Sequence, residues 1–154
     1  MTDWCLSQIE FSGPVSVISQ LTEGFKRTTN DAEYQLFGQT FLPRPQEIET
    51  QSRSAAWYEW TKENWGCKYA NGLAQSEVRQ PGLVKYILKT DWNPPVVGLC
   101  KLTTMPEYSN ITVRVDYEMQ ADFCDPFEFH QPDGYLVIRH GEVIEDVLIN
   151  HQKV

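Results

Sequence analysis

The chain has 154 residues, of which 41% are hydrophobic and 22% charged, enough for one domain with its own core and too apolar for a disordered chain. Its net charge of −8 repels nucleic acid phosphates. No apolar run approaches the roughly 18 residues of a membrane helix, and Met1-Thr2-Asp3-Trp4-Cys5-Leu6 has neither the basic nor the apolar region of a secretory leader.

Trp4 to Phe11 alternates, with Cys5, Ser7, Ile9 and Phe11 on one face and Trp4, Leu6, Gln8 and Glu10 on the other, which predicts a strand. Ser12-Gly13-Pro14 then opens a helix whose stripe is Val15, Ile18, Leu21 and Phe25, with Gly24 near its exit. Lys26 to Glu33 is polar, and Leu36 to Leu42 predicts a short extended stretch closed by Pro43 and Pro45. Gln46 to Ser54 predicts a loop. Ala55 to Asn64 predicts a helix with Trp57, Trp60 and Asn64 on one side, ended by Trp65-Gly66. Cys67 to Ala70 looks extended. Asn71-Gly72 and Gln80-Pro81-Gly82 read as turns bounding a polar loop.

Leu83 to Thr90 predicts a strand with Val84, Tyr86 and Leu88 on one side. Asn93 as N-cap and Pro94 in the first turn open a helix carrying Val96, Leu99, Cys100 and Thr103, which Met105-Pro106 ends. From Ile111 to Gln120 the alternation places Ile111, Val113, Val115, Tyr117 and Met119 inward, as in an antiparallel sheet with one solvated face. Phe123 and Phe127 to Phe129 suggest short extended pieces. Tyr135 to Arg139, the His140-Gly141 turn and Val143-Ile144 read as a terminal hairpin. The expectation is one α+β domain over 1–154, with an insertion at about 27–64 and a C-terminal extension at about 121–154. Without the insertion the order is βαββαβ, the ferredoxin-like antiparallel plan with helices on one sheet face.

Charge and cysteines bound the chemistry. Between Glu107 and Asp146 there are ten acidic and two basic residues, so the whole net charge sits there. Cys5, Cys67, Cys100 and Cys124 are dispersed, with no CxxC and no paired histidine spacing. They read as small hydrophobes rather than ligands, and no metal or other cofactor is expected. Neither the carboxylates nor the glycines match a calcium or phosphate loop.

Trp65-Gly66-Cys67-Lys68-Tyr69, then Leu88-Lys89-Thr90-Asp91-Trp92-Asn93-Pro94-Pro95, then a strand around Tyr117, resemble the YubB-like family of phage- and plasmid-encoded proteins. Trp4-Cys5 and Phe41-x-Pro43-x-Pro45 look similar too, and the resemblance runs from about Trp4 to Gly141. The family's motifs look like W-G-T-K-W and T-x-W-x-P-P. Cys67 stands here where threonine is usual, and Tyr69 where tryptophan is usual. The resemblance implies a ferredoxin-like domain, without an iron–sulfur cluster, and a mobile-element setting in the host cytoplasm.

Two surfaces are candidates for function. The acidic residues Asp116, Glu118, Asp122, Asp125, Glu128, Glu142, Glu145 and Asp146 would face a basic surface on a host or defence protein. On that expectation the chain is a non-enzymatic inhibitor whose acidic field mimics nucleic acid and which binds no nucleic acid itself. The alternative is a small-ligand or nucleotide module, or an enzyme, built on Asn64, Trp65, Lys68 and Tyr69, where rings would stack a base and Lys68 would hold an anion. Helical spacing instead favours packing for Trp57 and Trp60. An edge strand or the acidic face would also support a homodimer.

Overall fold

The computed structural model describes residues 4–29, 41–51, 54–67, 70–91, 93–120 and 131–149. Strand β1 (Trp4–Ser12) leads into helix α1 (Val15–Thr29), and a short helix α2 (Gln46–Glu49) precedes α3 (Ala55–Trp65). Strands β2 (Ala70–Gln80) and β3 (Leu83–Asp91) form a hairpin, and α4 (Val96–Thr104) with a 3-10 turn at Pro106–Tyr108 leads to β4 (Thr112–Gln120). Strands β5 (Gly134–Arg139) and β6 (Glu142–Leu148) close the described chain. The six strands form one sheet in the order β2-β3-β1-β4-β5-β6, and every neighbouring pair is antiparallel. The protein is therefore α+β.

Alternation decides which face is covered. Ile9 and Phe11 of β1 lie in register with Tyr86 and Val84 of β3 and with Val115 and Val113 of β4. These side chains, with Leu136 and Ile138 of β5, pack in one core against Ile18, Leu21 and Phe25 of α1 and Leu99 and Leu102 of α4. Burying each such side chain stabilises the fold by about 1.5–3 kcal/mol. The other face carries crossed charges. Lys85 Nζ lies 3.8 Å from Glu10, and Arg114 donates two hydrogen bonds of 3.3 Å to Asp116. Such exposed pairs are worth about 0–1 kcal/mol, so this face is tolerated by water rather than held by its charges.

Several local expectations are corrected. The segment read as a polar loop after Asn71-Gly72 is strand β2, and the hairpin turn is Pro81-Gly82, where Gly82 has φ 78°. The Asn-Gly pair instead falls beside a register irregularity between Asn71 and Ala74, a place where a strand accommodates glycine. Residues 46–49 form a helix rather than loop. Phe41 is helical and Leu42 lies in a bend, so neither is extended, and 36–40 lie outside the described residues. Asn93 does not cap α4: Pro95 holds that position, and no side chain supplies the cap bond. Asn93 instead accepts from Thr90 Oγ1 through its carbonyl, at 2.6 Å. Val15 is 56% exposed and leaves the α1 stripe at its first residue.

Candidate functional site

Helix α3 begins where Ser54 Oγ accepts the Trp57 N–H at 3.2 Å, and it ends at Gly66 in the left-handed region, φ 89°. A side chain there would be strained, and its Cβ would lie 3.1 Å from the Val97 nitrogen. The buried face of α3 is Trp57, Thr61 and Trp65, at i, i+4 and i+8. Trp57 and Trp65 enclose Arg44, whose guanidinium carbon lies 3.8 Å and 4.3 Å from the two ring centroids. Arg44 Nε donates to Thr61 Oγ1 at 2.9 Å, and its NH1 donates to Glu49 at 3.0 Å. A cation desolvated against two indoles gains far more than an exposed one. The tryptophan-rich segment is thus organised around an arginine that precedes the two rings by 13 and 21 residues.

This arrangement accounts for the described residues of the ligand-module alternative. Trp65 is 1% exposed, and its indole N–H is donated to the Leu42 carbonyl at 3.2 Å. Asn64 Nδ2 donates back along its own helix to the Trp60 carbonyl at 2.9 Å, and its Oδ1 accepts from Lys101 Nζ at the surface. Neither residue presents a free recognition group to a common cavity. Lys68 and Tyr69 lie outside the described residues. Cys67 is buried, and burial drives its thiol well above the ordinary range; the same cause pushes Cys5 up to about 11 and raises Cys100. Neutral thiols at physiological pH are poor nucleophiles and poor metal ligands. Among the described residues no group of three or more His, Cys, Asp or Glu is placed to hold a metal ion, and no described helix is long and apolar enough to cross a membrane.

The eight acidic candidates do not form one cluster. Asp116 is engaged by Arg114, and Glu118 accepts the Gln131 N–H at 3.1 Å. Both sit on the solvated sheet face. Asp122, Asp125 and Glu128 lie outside the described residues. Glu142, Glu145 and Asp146 are exposed on β6, the last strand of the sheet. Register places Glu145 opposite Val137 and Asp146 opposite Leu136, so the two carboxylates project to opposite sheet faces. Tyr135 donates its hydroxyl to Glu145 at 2.9 Å, and the Arg114 guanidinium lies 4.2 Å from the Tyr135 ring centroid. That hydrogen bond to a carboxylate raises the Tyr135 pKa.

Asp146 borders a surface groove of about 460 Å³ between the start of α4 and strands β4, β5 and β6. Val97, Met119 and Val143 line it and are 38%, 39% and 40% exposed, while Tyr117 and Asn93 supply polar groups. The alternation predicts Tyr117 and Met119 inward. Tyr117 is partly buried and packs against the core, whereas Met119 lies past the last residue of β4 that pairs with β5, Tyr117 opposite Gly134, and is exposed. Its exposure, with that of Ile144 at 53% and Leu148 at 79%, adds apolar surface near the outer strands. The signal available in the sequence was Glu142-Val143-Ile144-Glu145-Asp146-Val147-Leu148, where carboxylates bracket apolar residues without a clean two-residue period.

Fold and surface together define an α+β protein with a six-stranded antiparallel sheet and an acidic outer strand. Comparison of the sequence with protein-family models finds no match, and comparison with curated proteins finds none either. The fold is similar to that of protein api92 from Yersinia pseudotuberculosis, a crystal structure assigned to the family DUF1281, with a TM-score of 0.57 over 100% of both chains. The two sequences are 6% identical, so the likeness is one of fold alone.

Proposed function

We propose that this chain is a non-enzymatic binding protein that docks its acidic edge on a basic surface of another protein. The observation that carries the reading is the exposure of Glu142, Glu145 and Asp146 on the outermost strand. Opposite charge speeds encounter and penalises wrong partners. The burial of the cysteine thiols and the use of Trp57 and Trp65 to enclose Arg44 favour this reading over the ligand module. The target is then a host or defence protein, and the acidic field imitates a nucleic acid on that target's basic surface. Two further elements belong to the same proposal. The order β2-β3-β1-β4, antiparallel throughout, supports reading the first four strands as a ferredoxin-like unit to which β5 and β6 are added. The motif resemblance to the YubB-like family supports a mobile-element setting.

The test is retention of host proteins by the immobilised chain across a gradient of salt. The expected result is a defined protein released by rising salt and not retained by the variant E142K/E145K/D146K. Retention of the same proteins by both chains at every salt concentration overturns the reading.

A further inference from the structure

We infer that β6 receives an extended segment of a protein partner as a seventh strand, and that this segment alternates basic and apolar side chains. The inference rests on the acidic edge being a protein-binding surface and adds how the partner is held. Strand β6 ends the sheet order, and none of its residues is buried. No described strand lies beyond it, so half of its backbone N–H and C=O groups point outward, as an edge strand's do, and can be paired by another chain.

The side chains specify what kind of chain. On the solvated sheet face Glu142 and Glu145 stand opposite Arg139 and Val137; on the helix-bearing face Val143, Asp146 and Leu148 stand opposite Ile138, Leu136 and Gly134. Ile144 is the extra residue of a register shift between the Val137–Glu145 and Ile138–Val143 pairs. A partner strand therefore meets carboxylates on both faces. On the helix-bearing face it also meets apolar surface that runs on into the groove lined by Val97, Met119 and Val143. Because alternate side chains of a strand share one face, lysine or arginine at alternate positions meets Glu142 and Glu145 on the solvated face, and the aliphatic residues between them cover Val143 and Leu148 on the helix-bearing face. A second copy of this chain is a poor occupant, because pairing β6 with itself sets carboxylates against carboxylates, and like charges across strands are destabilising.

The probe is a capped ten-residue peptide alternating lysine and valine, titrated against the full chain. Its controls are the same peptide N-methylated at every second amide, in either phase, and a peptide alternating lysine and serine. The expected result is salt-sensitive binding of the lysine–valine peptide with hydrogen-exchange protection confined to residues 142–148. N-methylation in one phase weakens it at least about tenfold and in the other phase has little effect, because only one set of amides faces the edge. Replacing valine by serine also weakens it. Equal binding in both methylated phases, without protection of 142–148, overturns strand addition while leaving acidic docking intact. Binding unchanged in E142K/E145K/D146K overturns the acidic-edge reading itself. Failure of the lysine–valine peptide to bind, or a wild-type dimer in sedimentation that protects 142–148, overturns the strand-addition inference.

Discussion

Arg44 sits between two indoles with 3% of its side chain exposed, while the carboxylate it reaches, Glu49, is 38% exposed. The cation thus lies on two ring faces and donates to Thr61 and to the more exposed Glu49 carboxylate, and a cation on an indole face gains most where water is excluded. Arg44→Ala removes that cation, empties the slot and leaves the buried Thr61 hydroxyl without its donor. A loss of about 3 kcal/mol is expected in urea unfolding. Arg44→Met, which refills the slot with apolar atoms, should recover part of it. Equal stability of R44A and wild type would show that the rings are packed without help from the cation. None of this was legible in the sequence. Helical spacing identified Trp57 as a packing residue, but no local pattern ties an arginine between two prolines to rings 13 and 21 residues away.

Among the elements, strands with one wet face and one dry face were read almost as they stand. Strands β1, β3 and β4 follow the expected alternation because their burial is largely one-sided; Leu6 of β1, expected to face outward, is the departure, buried at 2% exposure. Strand β2 was missed because its sequence, Ala70 to Gln80, is polar with an embedded Asn-Gly pair. Its place is set by pairing with β3, a non-local cause. Helix α1 illustrates a further limit. Gly24 looks like an exit signal, yet the helix continues to Thr29. The glycine is needed for contact: a Cβ there would fall 2.4 Å from Phe41 Cζ. That ring is fixed at 4.8 Å from Phe25 and 5.7 Å from Tyr108, centroid to centroid. Gly24→Ala should therefore destabilise by about 1–2 kcal/mol, although alanine favours helix by roughly 1 kcal/mol. The double variant G24A/F41L should be less destabilised than the sum of its parts. Additive losses in thermal unfolding would remove Phe41 as the cause.

Across the whole molecule, the candidate site was legible as charge but not as shape. Counting acidic residues located the acidic end of the chain, yet three-dimensional pairing divides them: Arg114 takes up Asp116, while β6 keeps Glu142, Glu145 and Asp146 exposed. The groove lies where residues of α4, β4, β5 and β6 meet, and that meeting is a tertiary property. The carboxylates also guard an apolar edge, since Val143, Ile144 and Leu148 are exposed beside them. Neutralising them in E142Q/E145Q/D146N should leave the fold intact and make the chain self-associate at concentrations where the wild type sediments as a monomer. An unchanged monomer would mean that the bulge at Ile144 is sufficient to prevent edge pairing.

The Arg44 clamp also has an optical consequence. Lys89 Nζ lies 4.3 Å from the Trp4 ring centroid, so with Trp57 and Trp65 three of the four described indoles rest against a cation. Two lie in the helical layer and one on the central strand of the sheet. Their emission therefore reports the integrity of both layers from within the natural sequence. If fluorescence and far-ultraviolet dichroism follow one curve on unfolding, layer and sheet come apart as a single cooperative unit.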